Sequence, residues 1–197
     1  MTLPAAYFDG SAPSKGLVDE KNQYTEHWDD LRFPAQGINP AGSPSPASID
    51  NTTRPGTLLF ASNSTQHIGG VAQIPHAWKR NSALRPHVHW AKTSSASGGV
   101  VWQFRYAVAD IGSVIPAYSA WAGGTNAVSD SDTADKHAIT SFSEIDMTGL
   151  KESTIVLWEI RRKHDDAADD YGADARLLEF DIHYLTNKRG TNTEIPE

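Results

Sequence analysis

Leu84-Arg85-Pro86-His87-Val88-His89-Trp90-Ala91-Lys92 is the stretch on which the fold turns. Side chains alternate faces along a strand, so Leu84, Pro86, Val88 and Trp90 share one side while Arg85, His87, His89 and Ala91 share the other. The first face reads as core. The second lines up two imidazoles two residues apart, as a metal-ligand pair does and as the polar face of a sheet does.

Working outward, similar short runs recur between turn residues: Thr57 to Ala61, Ile68 to Ile74, Val100 to Ala109, Lys136 to Phe142, Thr154 to Arg162 and Leu177 to Thr186. With Leu84 to Lys92 that makes seven strands, and an eighth is expected upstream. The link Ser94-Ser95-Ala96-Ser97-Gly98-Gly99 is small and polar, which predicts a hairpin whose flanking strands pair antiparallel. Residues Gly123 to Asp135 lack apolar 3.6-residue spacing and read as a loop. Strands without interleaved helices predict an all-β chain, an antiparallel β-sandwich that is jelly-roll-like. Trp90, Trp102, Phe104, Tyr106, Trp158, Phe180 and Tyr184 all fall inside these strands and supply its core. A glycan-binding module would instead need such aromatics exposed in a shallow groove.

Residues 1–56 differ in texture from 57–197, the predicted sandwich domain. Ile38 to Ala47 carries three prolines and little to bury, so residues 1–56 are expected to form an extended N-terminal arm, and deletion of residues 1–50 is expected to leave the domain folded. Within it, Tyr24, Trp28, Leu31, Phe33 and Pro34 make an apolar island suited to docking on a neighbour.

Bulk properties narrow the function. The chain has 197 residues, and its 17 basic against 24 acidic residues give a net charge of −7, which argues against binding a phosphate backbone. No window approaches the apolar length of a membrane span, and the N-terminus has no basic region followed by an apolar run, so the chain reads as soluble and unexported. The absence of cysteine removes disulfides and thiolate chemistry.

Histidine is the remaining source of chemistry. His87 and His89 resemble the His-x-His element of cupin-like metal proteins, and Glu179, Asp181 and His183 share a face of the last strand by the same period of two. A metal set drawn from His87, His89, Asp181 and His183 is therefore constructible as an alternative. The cupin pattern continues to a nearby Glu, however, and here no Glu follows until Glu144. The expectation is accordingly no metal, no cofactor and no third ligand converging on the pair, with His87 and His89 serving as interface residues beside Tyr24, Trp28, Leu31 and Phe33. The acidic run Asp165, Asp166, Asp169, Asp170 and Asp174 lacks the ligand alternation of a calcium loop and reads as solvated. No nucleophile elbow, phosphate-binding glycine loop or H-E-x-x-H helix is present, so the chain does not read as an enzyme.

An ordered set of segments carries a wider resemblance: Trp28 to Pro34, Gln73 to Lys79, Pro86 to Trp90, Ala134 to His137, Tyr171 to Glu179 and Asp181 to Tyr184. From about Trp28 to Arg189 the chain resembles a set of tailed-bacteriophage and prophage virion proteins. The resemblance implies a structural part of the particle, made in the host cytoplasm: a head decoration, a fibre base, or a neck or tail accessory. Its implied partners are other copies of itself and phage capsid or tail proteins, with host surface glycan as a further partner class.

Overall fold

A computed structural model describes residues 25–38, 40, 47–124 and 133–194. Ten strands run in chain order: β1 (His27–Pro34), β2 (Ser48–Asp50), β3 (Thr57–Phe60), β4 (His67–Gln73), β5 (Arg85–Lys92), β6 (Trp102–Ala109), β7 (Ala122–Gly124), β8 (Ala138–Ser141), β9 (Ile155–Arg162) and β10 (Ala175–Thr186). All seven strands expected from patterning are present. The strand β7 falls at the edge of the stretch expected to be loop, and it is short and glycine-rich enough to carry no period-two signal.

Two antiparallel sheets face each other. One has the order β2-β3-β10-β5-β8, with β1 also paired to β10; the other is β4-β9-β6-β7. Strands β3 to β10 take the eight-strand order of a jelly roll, β3-β10-β5-β8 in one sheet and β4-β9-β6-β7 in the other, which confirms the all-β sandwich. The predicted hairpin between β5 and β6 is not one. These strands lie in different sheets, so residues 93–101 cross between layers. The small residues of the link serve that crossing: Gly98 has φ +119°, and a Cβ there would lie 2.7 Å from the Tyr171 backbone. The link is tied down by backbone N–H groups of Gly99 and Val101, which donate to the carboxylates of Asp170 and Asp169.

The core lies where the inner faces meet. Phe180 of one sheet packs on Trp158 of the other, with ring centroids 4.4 Å apart, and Phe60 meets Trp102 at 4.9 Å. Trp158 lies over Gly70 of β4, where a Cβ would come within 2.5 Å of its ring. Leu84, Val88 and Trp90 are fully buried as the opening stretch predicts, and Trp90 Nε1 donates to Thr140 Oγ1 at 3.0 Å. Burying aromatic side chains of this size contributes about 1.5–3 kcal/mol each.

The described part of the N-terminal region belongs to the sandwich. All eight residues of β1 pair with Glu179–Thr186 of β10, and β2 extends the sheet beyond β3. Ala35, Ile38 and Ala47 are buried, and Phe33 stacks on Phe180 and packs at a tilt against Trp158. An arm dispensable for folding is thus replaced, over these residues, by structural strands. The apolar inner face of β1 has its own slot on the core. Tyr24 lies outside the described residues.

The acidic loop between β9 and β10 also differs from its expected solvated state. Asp169 forms a fully buried ion pair with Arg162, whose remaining N–H groups donate to the carbonyls of Phe60, Tyr171 and Ala173. A buried guanidinium requires such complete pairing, and this loop supplies it.

Candidate functional site

A one-residue irregularity in β10 creates the site. Against β5 the register runs Leu177 to Trp90 and then Glu179 to His89, so Leu178 is an extra residue. Before this bulge Ala175 and Leu177 face the core; after it Phe180, Ile182 and Tyr184 do. The flip sends Glu179, Asp181 and His183 to the outer face, where β5 presents Arg85, His87 and His89. Asp181 then pairs in register with His87.

The expectation that no third ligand converges is overturned. Asp181 Oδ1 lies 2.7 Å from His87 Nε2, Asp181 Oδ2 lies 3.1 Å from His89 Nε2, and the two Nε2 atoms are 3.0 Å apart. The face is not a wet one at this point, because His87 and Asp181 are 6% and 4% exposed. Adjacent strands bring these groups together and flanking strands cover them, which spacing along the chain could not show.

The other two partners weighed for the pair are engaged elsewhere. Arg32 of β1 donates from Nε and Nη2 to the two oxygens of Glu179 at 2.6 and 2.8 Å. His183 pairs with Asp30 at 2.9 Å, and its ring meets that of His87 edge-on with centroids 4.2 Å apart. Asp30 and His137 are the residues that sequence reasoning missed. His137 precedes β8, and its Nε2 lies 2.7 Å from His89 Nδ1. Both belong to segments of the wider resemblance, which was the only signal available for them.

Electrostatics follow from this packing. Burial would raise the carboxyl of Asp181, but the imidazoles of His87 and His89 outweigh it and hold the group at about 2. Burial would lower His87, and the Asp181 carboxylate outweighs that too, so the imidazole is raised. A hydrogen bond to the Arg85 backbone acts in the same direction. Beside the cluster runs a groove of about 450 Å³, lined by Arg85, His87, Ile139, Ser141, Glu144 and His183 among others.

The remaining sequence candidates are dispersed. Trp28 is 44% exposed and lies under the Arg85 guanidinium, 4.4 Å from its ring centroid. Leu31 and Phe33 are partly buried against the core. Trp102 and Trp158 are buried, which removes the strand platform a glycan-binding groove would use. Asp165 pairs with Lys163 at the surface, and Asp169 and Asp170 hold the crossing link, so the acidic run does not converge on a cation position.

These observations define a jelly-roll β-sandwich with a histidine-carboxylate cluster on its outer face. No family model matches the chain, and no curated protein matches it. Among solved structures it is similar to dimeric latent PorU from Porphyromonas gingivalis, at 9% identity and TM-score 0.37 over 88% of this chain and 15% of that one. It is also similar to the CBM22-1–GH10 modules of Clostridium thermocellum endo-1,4-beta-D-xylanase 10B complexed with xylohexaose, at 11% identity and TM-score 0.34 over 86% of this chain and 27% of that one. A third is TmCBM61 in complex with beta-1,4-galactotriose, at 11% identity and TM-score 0.31 over 84% of this chain and 91% of that one. The chain spans less than a third of the length of each of the first two.

Proposed function

We propose that this chain is a non-enzymatic structural protein of a tailed-bacteriophage particle, a head decoration, fibre base or neck or tail accessory. It works through contacts with other copies of itself and with capsid or tail proteins. One structural observation supports contact as its mode of action. The loop after β6 presents Ile111, Val114 and Ile115 at 61%, 91% and 56% exposure. Its ends are anchored: Asp110 accepts from the Lys151 backbone and the Thr154 hydroxyl, and Ser119 exchanges hydrogen bonds with the Tyr106 backbone. Arg105 and Arg161 both stack on Trp121 at the far end. An anchored loop with clustered apolar side chains in water is what a contact surface between proteins requires. Replacing Ile111, Val114 and Ile115 together by Ser should leave thermal stability unchanged and reduce occupancy in assembled particles. Full occupancy of the triple variant would sink the contact role of the loop.

A second reading is favoured by a different observation, the convergence of Asp181 on His87 and His89. Two imidazoles and one carboxylate with open positions suit a cupin-like iron(II) enzyme. Oxygen uptake by iron(II)-loaded protein in the presence of candidate organic substrates distinguishes it from the structural role.

A further inference from the structure

We infer that His87 Nε2, His89 Nε2 and the Asp181 carboxylate form a binding site for one divalent transition-metal ion of the zinc class. The inference goes beyond the particle role and stands on the geometry of these residues, whichever functional reading holds. Their ligand atoms all lie within 4.8 Å of one another. In a tetrahedral zinc site, bonds of about 2.0–2.1 Å to nitrogen put neighbouring ligand atoms about 3.3 Å apart. The observed 3.0 Å between the nitrogens, and 2.7 and 3.1 Å to the carboxylate oxygens, fall about 0.2–0.6 Å short of that spacing, so a small outward shift of the side chains would admit the ion.

The proton inventory points the same way. His87 is hydrogen-bonded to the Arg85 backbone, and His89 Nδ1 meets His137 Nε2 at 2.7 Å. A ligating histidine typically has its outer ring nitrogen held in this way, which fixes the tautomer and turns the inner lone pair toward the ion. In the tautomers with both outer nitrogens protonated, two Nε2 lone pairs and a carboxylate face one another at about 3 Å, an arrangement that a shared cation relieves. Asp181 Oδ1 adds an independent sign. It is buried and makes no hydrogen bond, because the approach of His87 Nε2 at 2.7 Å has the wrong direction for one. A buried carboxylate oxygen left so is costly unless a cation takes it up.

Ligand chemistry sets the class of ion. Two imidazoles with one carboxylate suit zinc, cobalt or iron(II), whereas calcium and magnesium take oxygen ligands in larger number. A second group, Asp30, Asp181 and His183, also brings three ligand atoms together. It has two carboxylates and one imidazole, and the side chains of Asp30 and His183 are 41% and 36% exposed, so it is the weaker competitor.

The test uses the untagged full-length chain, stripped with chelator and dialysed against zinc or cobalt. One ion per chain is expected, with a tetrahedral cobalt absorption band and a raised melting temperature. His87→Ala, His89→Ala and Asp181→Ala should each weaken binding at least tenfold. His183→Ala and Asp30→Ala should leave it within about twofold. Wild-type stoichiometry decides whether an ion binds at all, independently of how the variants fold, and the variants decide which group holds it. Failure of wild type to retain a stoichiometric ion at micromolar metal overturns the inference. So does binding that survives His89→Ala but is lost in His183→Ala and Asp30→Ala, since the ion would then occupy the other group.

Discussion

Arg162 Nη2 donates to Asp169 Oδ1 at 2.6 Å with both side chains shut off from solvent, so the loop before β10 is stitched to the end of β9 by a charge pair inside the protein. The same carboxylate accepts the Val101 backbone N–H, and the crossing link and the acidic loop therefore share one anchor. Removing one member of a buried pair leaves the other charged and uncompensated, which costs about 3–5 kcal/mol. Asp169→Ala is expected to lower unfolding stability by that amount in urea titration. Asp165→Ala, at the exposed end of the same loop, should change it by less than about 0.5 kcal/mol.

Acid sensitivity is expected from Glu152. Its side chain is fully out of solvent between Arg80 and Lys188, with Arg80 Nε 2.6 Å away. Burial pushes this carboxyl up, but the Lys188 ammonium, the backbone hydrogen bond and Arg80 together outweigh it and bring it below its ordinary 4.5. A depressed carboxyl takes up its proton in the unfolded chain before the folded one. Its contribution is therefore present above 4.5 and is lost as pH falls through the lower folded value. Melting temperature measured from neutral to acid pH should fall in that range, and Glu152→Gln should flatten this part of the decline while lowering stability at neutral pH.

Truncation tests the structural place of the N-terminal strands. Deleting residues 1–50 removes β1 and β2, uncovers Glu179–Thr186 of β10 as an open edge, and takes Phe33, Ala35, Ile38 and Ala47 out of the core. An exposed edge with missing core neighbours favours association through unpaired backbone. The truncated chain is expected to aggregate or to lose its cooperative melting transition. A monomer with the full-length melting temperature would show that these strands contribute little.

Gly98 sits where the chain passes between sheets. At φ +119°, with the Tyr171 backbone 2.7 Å from any Cβ, Ala has neither the dihedral freedom nor the room. Gly98→Ala is expected to cost about 1–3 kcal/mol by chemical denaturation, whereas Gly112→Ala, at φ +83° in open space, should cost less because only the backbone term applies.

Much of this architecture can be read from side-chain alternation alone. The period of two between Leu84 and Trp90, repeated in the runs around Trp102, Trp158 and Phe180, is enough to place seven strands, their core faces and the all-β class, because burial on one face leaves a mark at every second residue. That His87 and His89 share one face, and Asp181 and His183 another strand's outer face, follows from the same rule. Adjacency does not. Which strands lie side by side, and that β5 and β6 part into different sheets, depends on how the layers close, and residues 94–99 would suit either a hairpin or a crossing. The convergence of Asp181 on the two imidazoles needs a bulge at Leu178 and a register set by the whole length of β10. Asp30 meets His183 across 153 residues of chain, and His137 meets His89 across 48. Alternation records which way a side chain points; the cluster exists because three-dimensional closure decides what it points at.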